Sequence, residues 1–304
     1  MRLAVIDLGT NTCNLLIAET GQKGYQILYQ GKEGVKLGKG GINRQLLTPE
    51  AFQRALSALK KHKTTIEFFH AEKTEIIATS AVRDAANREE FAAFLLKETG
   101  FGLTIISGEE EAGLIFKGVN LAFGEIPDNS LILDIGGGSN EFILTDRNGI
   151  AWKRSFPLGM SRVIEQFSLS DPITETEISS VEQYFKTGLK ELENKLSGIN
   201  ISQLIGCSGA FDTLADLLEN TPSDTVQRIT KEIPSEDFEA AWYRIIHSTA
   251  RQRERMTGMD PLRVEMIVPS FILMRFVMKN FGIGKMVQTG FSLREGVLQE
   301  WINH

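Results

Sequence analysis

Cysteine is almost missing from this chain: 304 residues hold two, Cys13 and Cys207. A pair so far apart in sequence makes no disulfide framework, and a reducing cytoplasm is the expected compartment. Histidine is scarce as well. His62, His70, His247 and His304 show no ligand spacing, which excludes a histidine-rich metal centre. No apolar run is long enough to cross a bilayer. The N-terminus, MRLAVIDLGTNTCNLLIAE, carries an acid in its first apolar run and no small-residue cleavage site, so it reads as a buried strand and not as a secretion signal. Excess positive charge is lacking too: 33 Lys and Arg stand against 39 Asp and Glu, a net charge of −6. That balance argues against a partner with a phosphodiester backbone. The short basic runs KKHK (60–63) and RQRER (251–255) read as solvated helix faces.

What remains is a chain with 42% hydrophobic residues, enough for about two domains with a core each. Its most informative feature is a repeat. VIDLGTNTCNLLI (5–17) and LDIGGGSNEFIL (133–144) share one skeleton of apolar strand, Asp, glycine-bearing turn and second strand. Asp7 matches Asp134, Gly9 matches Gly136, and Leu15 matches Phe142. After the second copy, Asn148-Gly149 signals a type I′ hairpin. After the first, ETGQKGYQ signals a glycine-containing turn between strands. Two halves that begin alike predict duplication into two α/β domains facing each other.

Periodicity fills in the rest. Strands are expected at 2–8, 13–19, 24–30, 74–80 and 103–107, and helices over 48–69, through AANREEFAAFLLKETG and through EEEAGLIFKGVNLAFG. Thr48 and Pro49 mark the start of the first helix. The polar stretch GEIPDNS (124–130) is the expected boundary, giving domains 1–125 and 126–304, with Pro127 near a hinge. The second domain then reads as strands 131–135, 140–146 and 150–156, a helix 174–197, a strand 202–208, helices from 210, 234 and 261, a strand 285–289 and a helix of about 292–302. That last helix is expected to pack back on the first domain.

A glycine-rich turn after a buried strand exposes backbone N–H groups and suits an anion, phosphate above all. A single such loop is as easily a tight hairpin. Here there are two at matching positions and a third, GCSGAFDTL (206–214), opening a helix. Asp134 and Asp7 each end a buried strand, where a carboxylate needs a partner or a metal. They suit a hard cation such as Mg²⁺, or else cap their own turns. Glu141 stands where the first copy has Asn14, an asymmetry that points to a role needed once. GEEEAGLIF (108–116) crowds three acids into a first helical turn, for the helix dipole or to activate water. Arg83 reads either as an ion pair with Asp84 or Glu89 or as a phosphate clamp. Both cysteines read as small buried fillers.

The runs VIDLGTNT (5–12), ATSAVRDAAN (78–87), ISGEEEAGLIFKGV (106–119), LILDIGGGSNEFIL (131–144), GCSGAF (206–211) and SLREGVL (292–298) together resemble the exopolyphosphatase/guanosine pentaphosphate phosphatase family. The resemblance implies an α/β, actin-like (ribonuclease H-like), duplicated two-domain fold with the active site in an interdomain cleft. It implies release of terminal phosphate from inorganic polyphosphate, from guanosine pentaphosphate, or from both, with Mg²⁺ or Mn²⁺. By position, Glu111 is implied as the catalytic base, and Asp134 and Glu141 as the acidic pair for the metal and the attacking water, with Asp7 beside them. Thr10, Asn11, Gly137, Gly138, Ser139, Asn140, Arg83 and Gly209 are implied as the phosphate cradle. A homodimer is a family-level expectation; no membrane or nucleic-acid partner is expected.

Two departures stand out. Asn14 replaces a basic residue common in the family, and the helical region and His-Asp pair of long members are missing before His304. The expected substrates are therefore short chains or a nucleotide. The rival readings are an actin-like small-molecule kinase and a non-catalytic alarmone or polyphosphate sensor. Arg263 and Arg294 are spare candidates for phosphate contact, each with a helix-surface alternative.

Overall fold

The computed structural model describes residues 1–21 and 24–302. The glycine-containing turn expected in the first hairpin falls at 22 and 23, and His304 at the terminus; both lie outside the described residues. The chain divides into two compact units, Met1–Leu121 with Ser292–His304, and Ala122–Phe291.

The first unit is built on a five-stranded sheet in the order β3-β2-β1-β4-β5. Its strands are β1 (Arg2–Leu8), β2 (Thr12–Gly21), β3 (Gly24–Gly34), β4 (Lys73–Ala78) and β5 (Thr104–Ile105). β1 to β3 form an antiparallel meander, and β4 and β5 add in parallel. The helices are α1 (Pro49–Phe68), α2 (Ser80–Arg83), α3 (Arg88–Thr99) and α4 (Gly108–Phe123). Thr48 caps α1, its side chain accepting from the Ala51 N–H, with Pro49 at the first helical position. β1 is apolar on both faces, and both are covered. On one, Ile6, Leu8, Leu15 and Ile17 pack against Ala55, Leu59, Phe91 and Leu95. Burying each of the larger side chains contributes about 1.5–3 kcal/mol.

The second unit repeats the plan with one more strand, in the order β8-β7-β6-β9-β11-β10. β6 (Ser130–Ile135), β7 (Asn140–Asp146) and β8 (Gly149–Phe156) are the meander; β9 (Gln203–Cys207) and β11 (Met286–Thr289) run parallel, and β10 (Thr230–Ile233) closes the edge antiparallel. Around it lie α5 (Met160–Phe167), α6 (Glu175–Gly188), α7 (Lys190–Leu196), α8 (Gly209–Glu219), α9 (Ser235–Ile246), α10 (Ala250–Arg253) and α11 (Ile267–Asn280). The core runs from Leu133 and Phe142 through Phe185 and Phe211 to Phe238 and Phe271.

The last helix, α12 (Leu293–Ile302), covers the other face of the first sheet, where Leu298 joins Leu3, Leu16 and Ala18. It meets α4 at a pair of glycines. A Cβ on Gly118 would stand 1.9 Å from the Ser292 carbonyl oxygen, and one on Gly296 equally close to that of Leu114. Only glycine lets two helix backbones approach so far.

Several elements differ from the sequence expectation. The helix expected over 174–197 is two helices, α6 and α7, and the one expected from 261 begins at Ile267, after a run of turns. β10 and α5 had no sequence signal strong enough to place them. The β7–β8 turn is not type I′, which needs positive φ at both central residues. Gly149 alone has it there (φ 111), and Asp146 accepts from the Asn148 N–H in an Asx turn.

Candidate active site

The matched hairpins set the frame for every acid in question. In β1–β2, Asp7 lies opposite Asn14; in β6–β7, Asp134 lies opposite Glu141. The turns close alike, Gly9 N–H to the Thr12 carbonyl at 2.9 Å and Gly136 N–H to the Ser139 carbonyl at 3.0 Å. Residues directly opposite on antiparallel strands share a face of the sheet. The Asn14 amide therefore donates to Asp7 (3.2 Å) and to the Thr12 hydroxyl (3.1 Å). In the second unit that amide is replaced by a second carboxylate. Asp134 and Glu141 are 7% and 1% exposed, and two buried like charges on one face call for a cation or a proton. Each accepts one hydroxyl: Ser208 donates to Asp134 at 2.6 Å, and Ser155 to Glu141 at 2.6 Å. The Cys207 thiol also lies 3.6 Å from Asp134.

The glycine loop between β6 and β7 is held from behind by the start of α5. Met160, Ser161 and Gly159 donate their N–H groups to the carbonyls of Gly136 (3.0 Å), Gly137 (2.8 Å) and Gly138 (3.3 Å). A trans peptide sets its N–H opposite its C=O. With the carbonyls turned to α5, the N–H groups of Gly137, Gly138 and Ser139 turn the other way. Gly159 makes this approach possible: a Cβ there would stand 2.4 Å from the Gly137 and Gly138 backbone. Asn140 is set apart from this cradle. It is fully buried, and its amide donates to the Leu158 carbonyl at 2.8 Å.

The first unit holds its loop in the same manner. Val35 and Lys36 donate to the Asn11 carbonyl, and Leu37 and Gly38 to that of Thr10. Cys13 lies just behind, its carbonyl bonded to the buried His62 ring at 2.9 Å. Burial, with smaller contributions from Asp7 and Glu33, pushes the Cys13 thiol well above its ordinary value, so it is no nucleophile at neutral pH.

The three acids opening α4 separate cleanly. Glu110 closes a capping box: its carboxylate accepts from the Ser107 N–H (2.8 Å), and the Ser107 hydroxyl accepts from the Glu110 N–H (3.2 Å). Glu109 is exposed. Glu111 is buried, and Arg83 donates to it at 2.7 Å. Arg83 also touches the Ile106 carbonyl (3.3 Å) and lies 3.6 Å from Asp84. Its guanidinium is thus a clamp on Glu111, a partner neither sequence reading had named.

At the third loop, Gly209 opens α8 and Ser208 precedes it with φ 71 and ψ 166, a region that costs a non-glycine residue about 1–3 kcal/mol. The Arg263 guanidinium lies over Gly209, where a Cβ would meet it at 1.9 Å. Arg263 stands in the turns before α11 and not on a helix surface, 3.7 Å from Asp260. Arg294 goes to the base of the first sheet, toward the Leu15 carbonyl (3.4 Å) and Glu295 (3.5 Å).

Sequence reasoning missed Ser155, Ser208, Gly159 and Arg162. Only Gly159 left a sign, a glycine between a strand and an apolar run. Among the described residues no group of three or more His, Cys, Asp or Glu is arranged to hold a metal. The Asp134–Glu141 pair still fits Mg²⁺, which keeps several waters and takes one or two carboxylates. No helix among the described residues is long and apolar enough to cross a membrane.

Comparison with known proteins converges on one family. The chain is 34% identical over 291 residues to a bifunctional 3-dehydroquinate synthase/phosphatase of Fusobacterium nucleatum, covering 92% of this chain and 43% of that protein. It is 29% identical to exopolyphosphatase 2 of Mycobacterium tuberculosis, over 97% of both chains. The crystal structure of an exopolyphosphatase from Cytophaga hutchinsonii superposes with a TM-score of 0.94 at 35% identity, over 100% of this chain and 98% of that one. The Ppx/GppA phosphatase family model matches residues 16–304, and the duplicated α/β fold built on Asp–Gly hairpins is thereby placed: the chain belongs to the Ppx/GppA phosphatase family.

Proposed function

We propose that the protein is a phosphoanhydride hydrolase that releases terminal phosphate from inorganic polyphosphate, guanosine pentaphosphate, or both. The observation that carries this reading is the buried pair Asp134 and Glu141, set beside a loop whose N–H groups all turn to one side. Such a site takes an anion and a hard cation together. The relatives in Mycobacterium tuberculosis and Cytophaga hutchinsonii, both named exopolyphosphatases, support it.

In this reading Asp134 and Glu141 hold a divalent cation, Mg²⁺ or Mn²⁺, which would offset phosphate charge when bound. The N–H groups of Gly137, Gly138 and Ser139 hold phosphoryl oxygens. Their orientation is fixed before substrate arrives, so little reorganisation is needed as charge develops. Thr10, Asn11 and Gly209 extend the cradle, and Asp7 supports the metal side. Glu111 takes the proton from the attacking water. Arg83 holds its Oε2, which fixes the carboxylate's direction. Glu141, in turn, is steadied by Ser155. Phosphoryl transfer asks for little else than such positioning and charge.

The test is phosphate release from short polyphosphate, long polyphosphate, guanosine pentaphosphate and ATP in parallel, with and without Mg²⁺. Release that needs the cation and falls about a thousandfold in Glu111→Gln is the expected result. The ranking then names the substrate. No release from any of the four would sink the reading.

A further inference from the structure

Arg162 is a cation held largely out of solvent. It lies in the first turn of α5, and its residue is 9% exposed. Burying a guanidinium is costly unless its hydrogen bonds are well placed. Its Nε donates to the Gly138 carbonyl at 2.7 Å, a charge-assisted bond shorter than the backbone bond from Gly159 to the same oxygen.

That oxygen belongs to the peptide that carries the Ser139 N–H. Asp171–Pro172 is the one cis bond among the described residues, so the 138–139 peptide is trans and its N–H points away from Arg162. A positive charge on the carbonyl draws electron density through the amide and makes the N–H a stronger donor. It also adds to the hold of the Gly159 N–H on the plane of a glycine peptide. The first unit uses backbone N–H groups at the matching carbonyls of Thr10 and Asn11. In the second unit a guanidinium is added on the same scheme.

We propose that Arg162 is a positioning residue for phosphate: it orients and polarises the 138–139 peptide, so that the Ser139 N–H grips a phosphoryl oxygen. This rests on the reading of the glycine loop as a phosphate site given under Proposed function. Arg162 touches the loop from behind and not the substrate.

The test compares wild type, Arg162→Met and Arg162→Lys in steady-state hydrolysis of tripolyphosphate, in competitive inhibition by orthophosphate and in thermal unfolding. The expected result is a rise in KM of about ten- to a hundredfold in Arg162→Met. Orthophosphate inhibition weakens by a similar factor, and kcat falls less. Arg162→Lys recovers part of both constants. A lower unfolding temperature with KM and orthophosphate inhibition at wild-type values would reduce Arg162 to a structural brace and overturn the proposal. Should Arg162→Met not fold, Arg162→Lys decides: a raised KM supports the proposal, and an unchanged KM overturns it. A wild type that releases phosphate from none of the four substrates above and is not bound by orthophosphate overturns the function reading and this one together. An active wild type with indifferent Arg162 variants overturns this one alone.

Discussion

The β1–β2 and β6–β7 hairpins follow one plan and differ in what faces the aspartate. Asp7 faces an amide and Asp134 faces a carboxylate. The first arrangement satisfies itself by a hydrogen bond. The second places two buried acids on one face, Asp134 accepting from the Ser208 hydroxyl and Glu141 from that of Ser155, and like charges so placed favour a cation or a proton. The supports differ in the same sense: backbone and a neutral imidazole behind the first loop, a buried guanidinium behind the second. The two copies share the turn and differ in charge at single positions, Asn14 against Glu141 above all.

The sharpest way to break the comparison is to make the copies alike. Glu141→Asn gives Asp134 the partner that Asp7 has. Turnover is expected to fall about a thousandfold, with thermal stability held or raised as the like charge goes. The reverse change, Asn14→Glu, is expected to lower stability by about 1–3 kcal/mol, read as a lower denaturation midpoint. A Glu141→Asn enzyme with wild-type turnover would end the argument from asymmetry.

Next in size is the support behind each loop. Gly159→Ala sets a methyl against backbone at 2.4 Å, whereas Gly38→Ala meets the Thr10 methyl at 2.9 Å. Backbone cannot yield without moving the N–H groups, so Gly159→Ala is expected to cost about a hundredfold in kcat/KM. A side-chain methyl can shift, and Gly38→Ala is expected to stay within about threefold. Equal losses would deny any difference between the two loops.

A smaller effect separates them by pH. Burial holds the His62 imidazole below its ordinary value, against the smaller opposing pull of the Cys13 carbonyl and Glu33. The neutral ring is the folded form, so its contribution is complete above the unfolded value of about 6.5. It is lost as pH falls through the lower folded value. Thermal unfolding followed from pH 7.5 to 5 is expected to show a loss in wild type that is reduced in His62→Gln. A profile unchanged by the substitution would remove His62 from the support of the first loop. Smallest of all is the helix cap: Glu110→Ala is expected to cost about 1 kcal/mol of stability, with kcat within about twofold. Beside Glu111→Gln, it separates two neighbouring acids by what each touches.

Much of this was legible in the chain itself. The repeat placed both hairpins, and the match of Glu141 to Asn14 is the register now seen. The α/β duplicated fold followed from the same alignment of strands. The Arg83–Glu111 pair was not legible, because 28 positions separate them and only the folded chain brings the end of α2 to the start of α4. Nor was α5, eight residues whose one signal is the glycine just before them, Gly159.

By itself, the sequence determined the two hairpins, their turns and the kinds of residue at their ends. Those are local matters of periodicity, backbone freedom and β-propensity, which neighbours along the chain settle. The Glu110 cap is local as well, since Ser107-x-x-Glu110 is the spacing of a capping box; tertiary structure alone decided that Glu111 is the acid held by an arginine. It also decided that Asn140 turns inward, that Arg263 lies on Gly209 and that Arg162 stands behind the glycine loop. A hydrogen bond across the fold depends on where separate elements come to rest against a common core, and no spacing in the chain records that.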